Sequence, residues 1–209
     1  MNNTTERTPF SLVKSERKPP EEVTLIPEVL RKANILQVEI EGDFEPILAS
    51  INEKLGKNME PRGDGSYHIT VVRPTEKDAL RKMDPSKVTE LEDLLNEFVT
   101  DSDLIIEGVG FIDGSTGSNI QERDRKSFTS YLALSSAKLS RVREFMGLPD
   151  FDFHVTLGFE VGDINDAILG TKPTGGLIKG PVEKKPDPSL DPALKFLPDS
   201  RSVSGIKIK

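Results

Sequence analysis

Cysteine and tryptophan are absent from this chain of 209 residues, and histidine occurs only twice. Without cysteine there can be no disulfide and no thiolate metal site. Aromatic residues make up 6% of the chain, hydrophobic residues 35% and charged residues 30%. That balance is less apolar than a compact domain usually shows, so part of the chain is expected to lie outside the core. No apolar run is long enough to span a bilayer, and Met1-Asn2-Asn3-Thr4-Thr5-Glu6 lacks the apolar centre of a signal peptide, which predicts a soluble cytoplasmic protein. Positive charge is also in deficit: the net charge is -7 and the pI is near 5.1. Such a surface disfavours extended duplex nucleic acid but allows a short nucleotide or an RNA end in a local basic pocket.

Composition divides the chain into three parts. Residues 1–22 are polar, carry Arg17-Lys18-Pro19-Pro20 and read as a flexible arm. Residues 162–209 lose periodicity and are broken by Gly175-Gly176, Gly180-Pro181, Lys185-Pro186-Asp187-Pro188 and Asp191-Pro192, a Pro/Gly-rich tail in which nothing suggests chemistry. Residues 23–161 carry the regular patterns. Leu36, Val38 and Ile40 alternate as in a strand. Asp43 then caps a helix with Phe44, Ile47, Leu48, Ile51 and Leu55 inward, ended by Gly56. Tyr67 to Val72 reads as a strand stopped by Arg73-Pro74. Asp84-Pro85 opens a second helix with Val88, Leu91, Leu95 and Phe98 inward. Strands follow over 104–112 and 128–134, then a short helix over 138–146 with Gly147 as its cap, then a strand over 151–159. The predicted order is β-α-β-α-β-β-α-β.

Both histidines fall in strands, and each is followed two residues later by threonine: His68-Ile69-Thr70 and His154-Val155-Thr156. Residues i and i+2 share a face of a strand. Phe151, Phe153, Val155, Leu157 and Phe159 make one apolar face, which leaves Asp152, His154, Thr156 and Gly158 on a polar one. Likewise Tyr67, Ile69 and Val71 face a core, while Ser66, His68 and Thr70 face a cleft. Threonine is about 6% of the chain, so two such triplets would arise by chance in roughly 0.4% of cases. A single strand histidine is usually structural; a matched pair on polar faces points to chemistry. One imidazole can take a proton from an attacking hydroxyl or water while the other gives one to a leaving oxygen, and two hydroxyls suit the non-bridging oxygens of a phosphate. A zinc site would need a third ligand, for which only carboxylates such as Asp152 are at hand; no metal and no cofactor are expected. Asp152 equally suits orienting His154 or raising its pKa.

Tandem His-x-Thr units on strands that follow helices, here His68-Ile69-Thr70-Val71 and His154-Val155-Thr156-Leu157, resemble the 2H phosphoesterase superfamily, and in particular its Swiss army knife RNA repair-like clade. The resemblance covers about residues 34–160. It implies an α+β, bilobal fold, with two antiparallel sheets around a central cleft and helices on the outside. It also implies a metal-independent phosphodiesterase acting on 2′,3′-cyclic phosphate RNA ends, 2′-5′ linkages or cyclic nucleotides, with His68, Thr70, His154 and Thr156 as its catalytic residues. The phage nucleases that cut cyclic oligonucleotide alarms share the motif. The alternative is a non-catalytic nucleotide- or RNA-end-binding module that retains the cleft. In either case the expected partner is a nucleotide or RNA end, and the expected state is a monomer.

Three further residues are candidates for substrate binding. Arg73 ends the first motif strand, where its guanidinium can reach a phosphate or simply meet solvent. Tyr131, like Phe111, can stack on a base or pack in the core. Gly158, on the polar face of the second motif strand, leaves room beside the imidazole. The loop with Gly114, Gly117 and Ser118, followed by Arg123, Arg125 and Lys126, suits a gate over the cleft or a plain connection.

Overall fold

Alternating apolar residues and helical repeats sort this chain into strands and helices largely where their periods change. The computed structural model describes residues 8–9, 22–62, 66–116, 120–164, 166–171, 177–181, 183–198 and 202–209. In chain order the elements are β1 (Thr8–Pro9), α1 (Pro27–Leu30), β2 (Leu36–Glu41), α2 (Glu45–Leu55), β3 (Glu60–Pro61), β4 (Tyr67–Val72), α3 (Asp78–Arg81), α4 (Val88–Thr100), β5 (Ile105–Asp113), β6 (Phe128–Ser135), α5 (Ala137–Phe145), β7 (Phe153–Phe159), β8 (Asp166–Thr171), β9 (Leu177–Pro181) and β10 (Ser202–Ile208).

The helix ends follow local chemistry. Glu45 N–H donates to Asp43 Oδ1 ahead of α2, and Gly56 closes that helix with φ 62°, a left-handed conformation that suits glycine. Asp84 accepts from Ser86 N–H in the 3-10 turn that leads into α4, and Ser136 accepts from Leu139 N–H at the start of α5. The inward residues Val88, Leu91, Leu95 and Phe98 of α4 are buried, as are Leu139 and Val142 of α5. They join Ile47 and Ile51 of α2 in one apolar cluster with Ile69 and Val155 of the motif strands.

Among the described residues, β1-β5-β6-β7-β4-β2-β10 form one antiparallel sheet, and β8 and β9 form a separate hairpin. The fold is therefore α+β, but the strands do not make the two separate sheets implied by the resemblance. Two halves, β10-β2-β4 and β7-β6-β5, are joined by the single pair Ile69↔Val155. Beyond that pair the far end of β7 takes β3 as its neighbour, with Glu60↔Phe159 and Pro61↔Gly158. Ile69 and Val155 at this seam pack in the apolar cluster that residues of α2, α4 and α5 share.

The segment from residue 162 supplies more than its composition suggests. A run of 3-10 turns over Pro188–Phe196 buries Leu190 and Ala193, and β10 pairs with β2 as an edge strand. Short pieces between prolines have no period for a sequence pattern to reveal, yet the sheet edge captures them. Of the arm over residues 1–22, only Thr8–Pro9 and Glu22 are among the described residues, and Thr8–Pro9 pairs with β5.

Candidate active site

Antiparallel pairing of Ile69 with Val155 decides which polar groups meet. On the opposite face, that register sets His68 beside Thr156 and Thr70 beside His154. The two histidines are then diagonal neighbours, with backbones about 7–8 Å apart. All four residues predicted from the triplets thus come together on one face, in a two-fold arrangement. Neighbouring strands extend it. Gln37 pairs with Thr70 and Glu39 with His68 on one side, while Tyr131 pairs with Thr156 and Ala133 with His154 on the other. Gln37 is buried, and its Oε1 has no hydrogen-bond partner among the described residues.

His154 Nδ1 lies 3.0 Å from the carbonyl oxygen of Asp152. A carbonyl only accepts, so Nδ1 carries the hydrogen and Nε2 is the free lone pair of the neutral ring. Asp152 therefore orients the imidazole through its backbone, while its carboxylate accepts from Lys184 N–H at 3.3 Å. The ring of His154 lies 6.1 Å from those of Tyr131 and Phe151.

Three residues missed by the sequence reading complete the site. Asp163 follows the second motif strand and accepts from the Thr156 hydroxyl at 2.9 Å and from Arg62 Nη1 at 3.2 Å. Arg62 is brought in by the β3–β7 pairing, and its N–H donates to the Leu157 carbonyl at 3.3 Å. Lys184 arrives from the C-terminal segment, its Nζ 3.7 Å from Asp163 Oδ1 and 5.1 Å from the centre of the Tyr131 ring. A lysine or aspartate in a stretch without period carries no local signal. Arg62 had one, its position just before the first motif strand.

Burial is the main reason why both imidazoles hold protons weakly. His68 is lowered to about 4 by burial, then by Arg62 and Lys209, against the opposing pull of Asp163 and Glu39. His154 is lowered by burial and by Lys184, against the Asp152 carbonyl and Asp163. Burial alone would raise Asp163, but the Lys184 ammonium and the Thr156 hydroxyl hold it below the ordinary carboxylate range. Both rings are therefore neutral near pH 7 in the free protein.

The secondary candidates have different fates. Arg73 is turned toward Glu76, donating from Nη2 to Oε1 at 2.7 Å, with its guanidinium 5.2 Å from the Phe151 ring. Tyr131 is 2% exposed, its hydroxyl donates to the Lys185 carbonyl at 2.9 Å, and burial raises its pKa. It forms the wall of the site and offers no open stacking surface. Phe111 stacks on Phe128 with ring centres 5.1 Å apart. Gly158 leaves no room for a ligand: a β-carbon there would meet the Glu60 carbonyl and the Leu48 side chain. The reason is a register shift in which Ser130 pairs with Gly158 and Tyr131 with Thr156, so that Leu157 is the extra residue of a bulge. Alternation breaks there, and Gly158 turns to the helix side. In the glycine-rich loop, Gly117, Ser118 and the side chain of Arg123 lie outside the described residues.

His68 and Thr70 thus lie against His154 and Thr156 on one face, across a seam of an antiparallel sheet. The family described as Swiss Army Knife, 2H phosphoesterase domain, matches residues 37–165, more than half of the chain, and the chain belongs to that family. No curated protein matches it.

Proposed function

We propose that the protein is a metal-independent phosphodiesterase that opens 2′,3′-cyclic phosphate RNA ends, 2′-5′ linkages or cyclic nucleotides by acid/base catalysis between His68 and His154. The observation that carries this reading is the register at the seam, which puts each histidine beside the threonine of the other strand. Only a pairing of this kind lets one phosphate touch all four groups.

For a 2′,3′-cyclic phosphate, His154 is the better base. Its Nδ1–H is held by the Asp152 carbonyl, so Nε2 can take the proton as water attacks phosphorus. The developing imidazolium keeps that bond. His68, across the seam, then gives its proton to the leaving ribose oxygen. It must be protonated to do so, which burial and Arg62 oppose. A bound anion reverses the balance, because its negative charge favours the charged ring. Thr70 and Thr156 hold the non-bridging oxygens; the Thr156 hydroxyl turns from Asp163 to do so, leaving that carboxylate to Arg62.

Wild-type protein is expected to hydrolyse a 2′,3′-cyclic nucleotide in EDTA, and His68→Ala or His154→Ala to lose about 100-fold or more of that rate, the scale of a positioned acid or base. Undiminished activity in either variant would sink the proposal. Tight binding of the same nucleotides without turnover would favour a binding module instead.

A further inference from the structure

Lys184 is a buried cation that this chemistry leaves without a task. Lys184 belongs to segment 183–187, beyond the residues that the family match covers. The segment is fastened across the motif face like a strap. Lys184 N–H donates to Asp152 Oδ2, Tyr131 donates to the Lys185 carbonyl, and Asp187 N–H donates to the Val109 carbonyl at 2.7 Å. Its seat is prepared by two glycines of β5. A β-carbon at Gly108 would lie 2.6 Å from Pro186 Cβ, and one at Gly110 would meet the Lys185 carbonyl.

What the strap delivers is an ammonium with unmet donors. The Lys184 side chain is 2% exposed, and Nζ has no hydrogen-bond partner among the described residues. Asp163 Oδ1, at 3.7 Å, is too far for a hydrogen bond and is itself unpartnered. An ammonium has three donors, and burying it unsatisfied is costly, so its position calls for an acceptor. Charge points the same way. Around Asp163, Arg62 and Lys184 are two cations against one carboxylate, while Glu39 and Lys209 on the His68 side offset each other; a phosphodiester carries one negative charge.

We propose that Lys184 is a phosphate-binding residue of this cleft, its ammonium donating to a non-bridging oxygen of the substrate opposite Arg62. The proposal rests on the phosphodiester reading of the site and assigns the strap a role in it. The arriving anion offsets Arg62, which depresses both imidazoles, and Lys184, which depresses that of His154, so substrate binding itself readies His68 to act as an acid.

The test uses the full chain with inorganic phosphate as probe, followed through the imidazole nitrogen resonances of His68 and His154. Wild-type protein is expected to bind phosphate, Lys184→Met to bind it at least tenfold more weakly, and Lys184→Arg to retain most of the affinity. The KM for a 2′,3′-cyclic nucleotide should rise at least tenfold in Lys184→Met. A folded Lys184→Met protein with unchanged phosphate affinity and KM overturns the proposal, as does a wild-type protein that binds no phosphate. Should Lys184→Met fail to fold, the lysine side-chain nitrogen spectrum of the wild type decides: the buried ammonium resonance must move as phosphate is added, and one that stays fixed at saturation overturns the proposal. Phosphate binding through Lys184 without turnover of any cyclic or 2′-5′ substrate removes the enzymatic reading and leaves this one. Turnover untouched by Lys184→Met does the reverse.

Discussion

Glu76 holds two guanidinium groups at once. It accepts from Arg73 at 2.7 Å and from Arg143 Nη2 at 3.0 Å, and both cations lie over the Phe151 ring. Arg143 is 1% exposed and donates in addition to the carbonyls of Val71 and Pro149. The cluster thus ties the end of the first motif strand to the approach of the second. It also accounts for Glu76 being lowered to about 2, since hydrogen bonds from Arg143 and Arg73 outweigh its burial. Glu76→Gln is expected to destabilise the protein by about 3–5 kcal/mol, because Arg143 would be left buried without its counter-charge; the midpoint of denaturant unfolding measures it. Gly110→Ala should cost about 1–3 kcal/mol in the same assay, since the new methyl group must displace Tyr131 or the Lys185 carbonyl.

At the level of elements, what repeats could be read and what is held in place by distant contacts could not. The long helices α2, α4 and α5 and the motif strands β4 and β7 were legible because their apolar residues recur at 3.6 or 2. The His/Thr face followed directly from that alternation. It failed at Gly158, because the bulge at Leu157 adds a residue that no period announces. Lys184 and β10 escaped notice for a different reason: each is held by a partner far away in the chain, Asp152 for the first and β2 for the second. Deleting residues 202–209 is expected to leave the β2 edge open and turn much of the protein into aggregate, read as a shift of the eluting protein into the void volume in size-exclusion chromatography. Retention of a soluble, cooperatively melting protein would contradict this.

For the whole molecule, the two half-buried imidazoles set a dependence on pH. A histidine whose folded pKa lies below the ordinary 6.5 binds fewer protons folded than unfolded in the interval between, so stability rises with pH there. The contribution is complete above about pH 6.5 and is lost as pH falls toward about 4 for His68. Glu76 adds a second loss between its ordinary 4.5 and about 2. Thermal midpoints should therefore fall steadily from pH 7 to 4, and His68→Gln should flatten the upper part of that decline; an identical slope in the variant would refute the assignment. The place of β10 in the sheet bears on how the molecule is made. Leu36–Glu41 leaves the ribosome long before Ser202–Ile208, the strand that pairs with it. Until then its hydrogen-bonding edge is open, and for much of that time Lys184 has not yet been made. The nascent chain must pass through a stage in which His68 and His154 have emerged without Lys184, and in which β2 is most exposed to capture by another unfinished copy.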